Sequence, residues 1–97
     1  MQANLPPKNH QKTETCAEIV QEVQSREGLN DREMADVLGL TRQAVGYWRR
    51  GENEPSIEQI QKIVREHKVG TWPFEMADRF VAAQYAAIRE HIREAAA

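Results

Sequence analysis

Between Asp31 and Arg50 two short amphipathic stretches meet at one glycine, and this spacing constrains the fold more than any other feature of the chain. Two helices joined by a tight turn cross steeply and approach closely beside the turn. The first helix therefore needs a small residue at the approach. The turn needs a residue that accepts positive φ, and the facing sides need apolar side chains. Ala35 supplies the small residue and Gly39 the turn. Met34, Leu38, Leu40, Val45 and Trp48 supply the facing apolar set.

The flanking sequence is also helical in pattern. Cys16, Ile19, Val20 and Val23 follow the i, i+3, i+4, i+7 spacing of one buried stripe, which predicts a helix from about Thr13 to Glu27 closed by Gly28. Thr15 with Glu18, and Ser56 with Gln59, have capping-box spacing. Asn30 and Thr41 stand where caps belong for helices over Asp31–Leu38 and from just after Thr41 to about Arg50, the latter stopped by Gly51. Ile57, Ile60, Ile63 and Val64 predict a fourth helix to about His67, with Val69-Gly70 closing it. Pro73 suits the first turn of a last helix reaching about Ala95. No segment alternates for long enough to predict a strand, so the expected class is all-α.

The 97 residues make one modest domain, with 40% hydrophobic and 29% charged residues, a balance that fits a folded soluble protein. No apolar run is long enough for a membrane span, and residues 1–12 lack the apolar segment of a secretory signal. A single cysteine, Cys16, fits a reducing compartment and reads as a small core residue. His10, His67 and His91 are too scattered for a metal site. No paired carboxylates, nucleophile–base set or phosphate loop argues for an enzyme, and no cofactor motif is present. The net charge of −2 counts against a nucleic-acid partner. Its distribution does not, because Arg42, Arg49 and Arg50 fall in a stretch free of acids while Glu14, Glu18, Glu22 and Glu27 collect earlier.

The stretch Leu29–Val45, continued by Trp48, Gly51 and Pro55-Ser56-Ile57-Glu58-Gln59-Ile60, resembles the phage repressor and Cro family, also called the xenobiotic-response-element type. The likeness covers about residues 14–70. It implies a compact, lambda-repressor-like helix-turn-helix domain of four to five helices, whose third helix enters the DNA major groove and whose dimers bind roughly palindromic operators. The chain departs from the family at two places. Asp31 stands where a phosphate-contacting glutamine is common, and it repels phosphate while complementing the helix dipole. Gly46 lies inside the recognition helix, where glycine costs about 1 kcal/mol relative to alanine.

At 100° per residue, Ala44, Val45 and Trp48 share the inner side of that helix, and Arg42, Gln43, Gly46, Tyr47 and Arg50 the outer side. Arg42 and Gln43, at the N-terminal end, are the base readers, since arginine pairs with guanine and glutamine with adenine. Tyr47 is placed for a phosphate or a thymine methyl, and Gly46 for close approach of the backbone. Arg49 and Arg50 are placed for phosphate. Thr41 is a cap that adds a phosphate contact through its hydroxyl or the helix N-terminus.

The expected organisation is an N-terminal arm over 1–12, read either as a frayed terminus or as a basic arm touching phosphate; a DNA-binding domain over 13–70; and a C-terminal helical element over 71–97. Phe74, Ala77, Val81, Gln84, Ile88, His91 and Ala95 recur at alternating spacings of three and four, widened by Phe80 and Ile92. Two readings of this strip stand: a fifth helix buried on its own domain, or a dimer contact through Phe74, Val81, Ile88 and Ile92. The family resemblance also suggests the second. The leading functional expectation is a homodimeric transcriptional repressor of double-stranded DNA, bacterial or phage-encoded, cytoplasmic and nucleoid-associated. Its control would come from its own concentration, proteolysis or a protein partner such as an antirepressor. The alternative is an antitoxin that binds a toxin protein and represses its own operon. A restriction-modification controller is a variant of the first reading.

Overall fold

A computed structural model describes residues 14–96, all of whose regular structure is helical. The expectations for the arm over 1–12 and for a helix start at Thr13 lie outside the described residues. Five helices follow in order: α1 Cys16–Glu27, α2 Asp31–Leu38, α3 Arg42–Arg50, α4 Ile57–Glu66 and α5 Trp72–Ala96.

Local chemistry sets most of these limits. Thr15, Asn30 and Ser56 each form a full capping box, with Glu18, Glu33 and Gln59 reaching back to the cap backbone. Thr15 thus starts α1 at Cys16, the first residue of the apolar stripe. Thr41 caps α3 through its hydroxyl alone, because Ala44 at the third position has no group to return the bond. Gly39 takes φ 69°, the left-handed turn between α2 and α3, and its N–H reaches back to the Ala35 and Asp36 carbonyls. α4 ends without a glycine: His67 is extended, and Gly70 instead serves the turn into α5, its N–H donated to the Glu75 carboxylate at 3.3 Å.

One core joins all five helices. It contains Cys16, Ile19, Val20 and Val23 of α1, Met34, Ala35 and Leu38 of α2, Val45 and Trp48 of α3, Ile60 and Ile63 of α4, and Met76, Ala77, Phe80 and Ala83 of α5. α3 packs on α1 and α2, while α5 lies across α1 and α4. Arg79 fastens α5 to α1: it donates to both Glu14 oxygens, at 2.7 and 3.0 Å, and to Glu22.

Two apolar faces differ from the periodicity argument. On α4, Ile57 and Val64 are exposed, and only Ile60 and Ile63 are buried. On α5, the buried face is Pro73, Met76, Ala77, Phe80 and Ala83, centred on Phe80. Phe74 is half-buried, whereas Val81, Ile88 and Ile92 are 49%, 55% and 62% exposed. Among the described residues none beyond Ala83 is buried, so the last turns of α5 leave the bundle uncovered.

Candidate nucleic-acid interface

α3 is held by its inner face. Val45 is fully buried and Trp48 is 1% exposed, so the indole is a core residue and not a stacking platform. Anchoring those two residues turns Arg42, Gln43, Tyr47 and Arg50 away from the bundle. Arg42 and Gln43 are exposed in the first turn, immediately after the Thr41 cap, whose Oγ1 accepts the Ala44 N–H at 3.1 Å. Gln43 donates through Nε2 to the Tyr47 hydroxyl at 2.9 Å, one turn on. The Arg50 guanidinium carbon lies 5.4 Å from the centre of the Tyr47 ring.

Gly46 forms the floor between these side chains. A Cβ at this position would lie 3.1 Å from Arg50 Nη1 and 3.4 Å from Asp31 Oδ2. The guanidinium and the carboxylate therefore converge over the one residue of α3 that has no side chain. Asp31, Arg42, Gln43, Gly46 and Arg50 line a single open depression there. A second depression beside it is lined by Gln24, Asn30, Asp31, Arg32, Arg42 and Arg49.

Charges on this surface are paired in different ways. Arg49 donates from Nε to Asp31 Oδ1 and from Nη2 to Asp31 Oδ2, both at 2.9 Å, while Gln24 donates to the same Oδ1 at 2.8 Å. The Arg49 hydrogen bonds hold the Asp31 carboxyl below the usual carboxylate range, against the opposing effect of burial. The same pair raises the Arg49 pKa further above its already high value. The Arg49 carbonyl accepts from Gln21 Nε2 at 2.9 Å, which ties the end of α3 to α1. Arg50 pairs with Glu52 at 3.0 and 3.3 Å, with both side chains well exposed. Arg42 enters none of the ion pairs found among the described residues.

The geometry thus brings Thr41, Arg42, Gln43, Tyr47 and Arg50 onto one surface, with Arg49 at its edge bound to Asp31; Gly46, expected on this outer side, is buried beneath Arg50 and Asp31. Sequence reasoning missed Arg32, exposed at the second position of α2 beside Arg42, although its place next to the Asn30 cap was a usable signal. It also missed Glu52 and Gln24 as partners of this surface. Phe74, Val81, Ile88 and Ile92 lie elsewhere, on α5.

Residues 24–71 match the model of a family described as helix-turn-helix. The match runs from the last turn of α1 through α2, α3 and α4 and stops just before α5. No curated protein and no solved structure matches the chain. The matched segment carries the packed α2–α3 pair, the left-handed Gly39 turn and the inward Trp48 described above; through it, the chain belongs to the helix-turn-helix family of the Cro/C1 type, a family of DNA-binding domains.

Proposed function

We propose that the protein is a sequence-specific transcriptional regulator that represses by occupying a palindromic operator as a homodimer, with α3 in the major groove. The observation that carries this reading is the division of α3 into a buried face, Val45 and Trp48, and an outer face, Arg42, Gln43, Tyr47 and Arg50, around Gly46. Side chains of the first turn read bases in this motif, which gives Arg42 and Gln43 the specific contacts. Arg50 sits toward the end of the helix, where a cation meets the phosphate backbone, and its surface pair with Glu52 is weak enough to open. Thr41 and the start of α3 take a flanking phosphate.

The dimer is part of the same reading. Phe74, Val81, Tyr85, Ile88 and Ile92 fall within about 60° of one another around α5, at 100° per residue. Apart from the half-buried Phe74, all of them are exposed. A contiguous apolar strip of this kind marks an interface, and a two-fold pair would present two recognition helices to successive major-groove half-sites.

Selection of bound duplexes from a random pool tests the proposal. The expected result is a consensus with two inverted half-sites about 10 base pairs apart, centre to centre. Recovery of no enriched sequence overturns the sequence-specific reading, and a single unrepeated half-site overturns the two-fold one.

A further inference from the structure

On a surface that must meet a polyanion, one carboxylate is placed among arginines. Asp31 borders both depressions of the DNA face, and its two oxygens accept three hydrogen bonds, two from Arg49 and one from Gln24. The Asp31 side chain is 21% exposed and that of Arg49 38%, so the pair is half-sheltered, unlike the open Arg50–Glu52 pair. Gln21 fixes the Arg49 backbone from the other side. Without the carboxylate, Arg32, Arg42 and Arg49 would form an unneutralised cluster beside the N-terminus of α2, which is the arrangement that binds phosphate irrespective of sequence.

We propose that Asp31 is a specificity-setting residue of this face: by holding Arg49 in a bidentate pair it withholds that arginine from the DNA backbone, and so suppresses binding to arbitrary sequence. The inference rests on the DNA-binding reading above. Phosphate contacts position a protein without carrying sequence information, and each adds about 0.9 to the slope of log affinity against log salt. Removing one such contact lowers nonspecific affinity and leaves base contacts by Arg42 and Gln43 intact. The ratio of specific to nonspecific binding then rises.

The test is a double-mutant cycle on the full chain, with Asp31→Asn, Arg49→Gln and the double variant titrated against a random-sequence duplex of roughly 20 base pairs. Asp31→Asn is expected to bind it about five- to tenfold more tightly near 0.1 M salt, with the salt slope steeper by about 0.9. Arg49→Gln alone unpairs the Asp31 carboxylate, which then repels the backbone, and is expected to lower nonspecific affinity by about two- to threefold; in the Asp31→Asn background it is expected to reverse most of the gain. Asp31→Gln is expected to act in the same direction as Asp31→Asn. A merely structural pair would move thermal stability and leave the salt slope alone.

Unchanged nonspecific affinity and slope in Asp31→Asn, with the parent binding duplex, overturns this proposal alone. So does a gain that persists in full when Arg49 is also replaced, which would mean that Asp31 repels phosphate directly. Failure of every variant to bind any duplex overturns the DNA reading along with it.

Discussion

The indole of Trp48 and the phenyl ring of Phe80 meet edge to face, with centroids 5.3 Å apart and planes inclined by 72°. This contact joins the inner side of the recognition helix to the middle of α5, two elements that bear the two proposed interfaces. Both side chains are almost completely buried. Replacing Phe80 with alanine removes the ring, leaves a cavity under Trp48 and is expected to cost about 3–5 kcal/mol, a large share of a small domain's stability. Urea unfolding followed by tryptophan fluorescence measures it. Ile92→Ala, on the exposed strip, is expected to stay within about 0.5 kcal/mol in a monomeric preparation. A Phe80 variant as stable as the parent would sink the assignment of α5 to the core.

The starts of α2, α3 and α4 were legible because caps are local. Thr15 with Glu18 and Ser56 with Gln59 lie three residues apart, and a chain read residue by residue displays such pairs. The fold of α2 and α3 was equally legible from Ala35, Gly39 and Trp48. The orientation of α5 was not. Its sequence carries two overlapping stripes, Phe74-Val81-Ile88 and Met76-Phe80-Ala83, and periodicity alone does not say which one faces the bundle. The structure buries the second. Nor were the ion pairs legible: Asp31 with Arg49 and Arg79 with Glu14 and Glu22 are set by helix crossing, which no local spacing records.

Readout by α3 makes a separate demand. Arg42→Ala or Gln43→Ala is expected to weaken binding to a selected site by roughly 1–3 kcal/mol, with the loss concentrated at one or two base positions. Arg50→Ala is expected to weaken specific and nonspecific binding more evenly and to reduce the salt slope by about one phosphate contact. Titrations against a panel of single-base variants at fixed salt distinguish the two patterns. If the Arg42 and Gln43 variants discriminate among sites as the parent does, α3 is not the reader.

Gly46→Ala separates stability from function. Alanine in mid-helix gains about 1 kcal/mol over glycine. The new Cβ is tight only against the far end of the Arg50 side chain, at 3.1 Å, which can move aside, and it meets Asp31 Oδ2 at an ordinary 3.4 Å contact. The variant is therefore expected to melt at or above the parent's temperature and to lose operator affinity by roughly tenfold, comparable with one base contact. A thermal melt and a binding titration on the same sample decide it. Undiminished affinity would show that the backbone at Gly46 needs no close approach to the groove.

Cys16 carries a pH dependence with a definite sign. Burial pushes its thiol up to about 11, with the nearby Glu54 charge adding to the shift and a Gln84 hydrogen bond opposing it. The folded-state pKa thus lies above the unfolded one. This contribution to stability is complete below the ordinary thiol pKa and is lost as pH rises toward about 11. Denaturant unfolding from pH 7 upward should show a decline in the parent that Cys16→Ala lacks, of order 2 kcal/mol over that interval. Native thiol labelling near pH 8 should likewise be slow. Parallel stability curves for the two proteins would refute the assignment.

The assembly is expected to depend on the uncovered part of α5. Val81 and Ile88 lie one above the other, two turns apart, and are 49% and 55% exposed, so glutamate at either position enters solvent in the monomer. Val81→Glu with Ile88→Glu is therefore expected to leave helical content and monomer stability close to the parent's. In a two-fold pair formed through this strip the same side chains enter the interface, and two added carboxylates per chain would be buried there without partners. Dimer content and operator affinity should then fall together, because a single half-site binds weakly and pairing multiplies the two contacts through high effective concentration. Removal of Ile88–Ala97 is expected to give the same result by loss of apolar area, since among the described residues none beyond Ala83 is buried in the monomer. Sedimentation of the parent and both variants at micromolar concentration, free and with operator duplex, provides the measurement. A parent that stays monomeric in both conditions defeats the dimer reading and leaves α5 as a core helix with an exposed end.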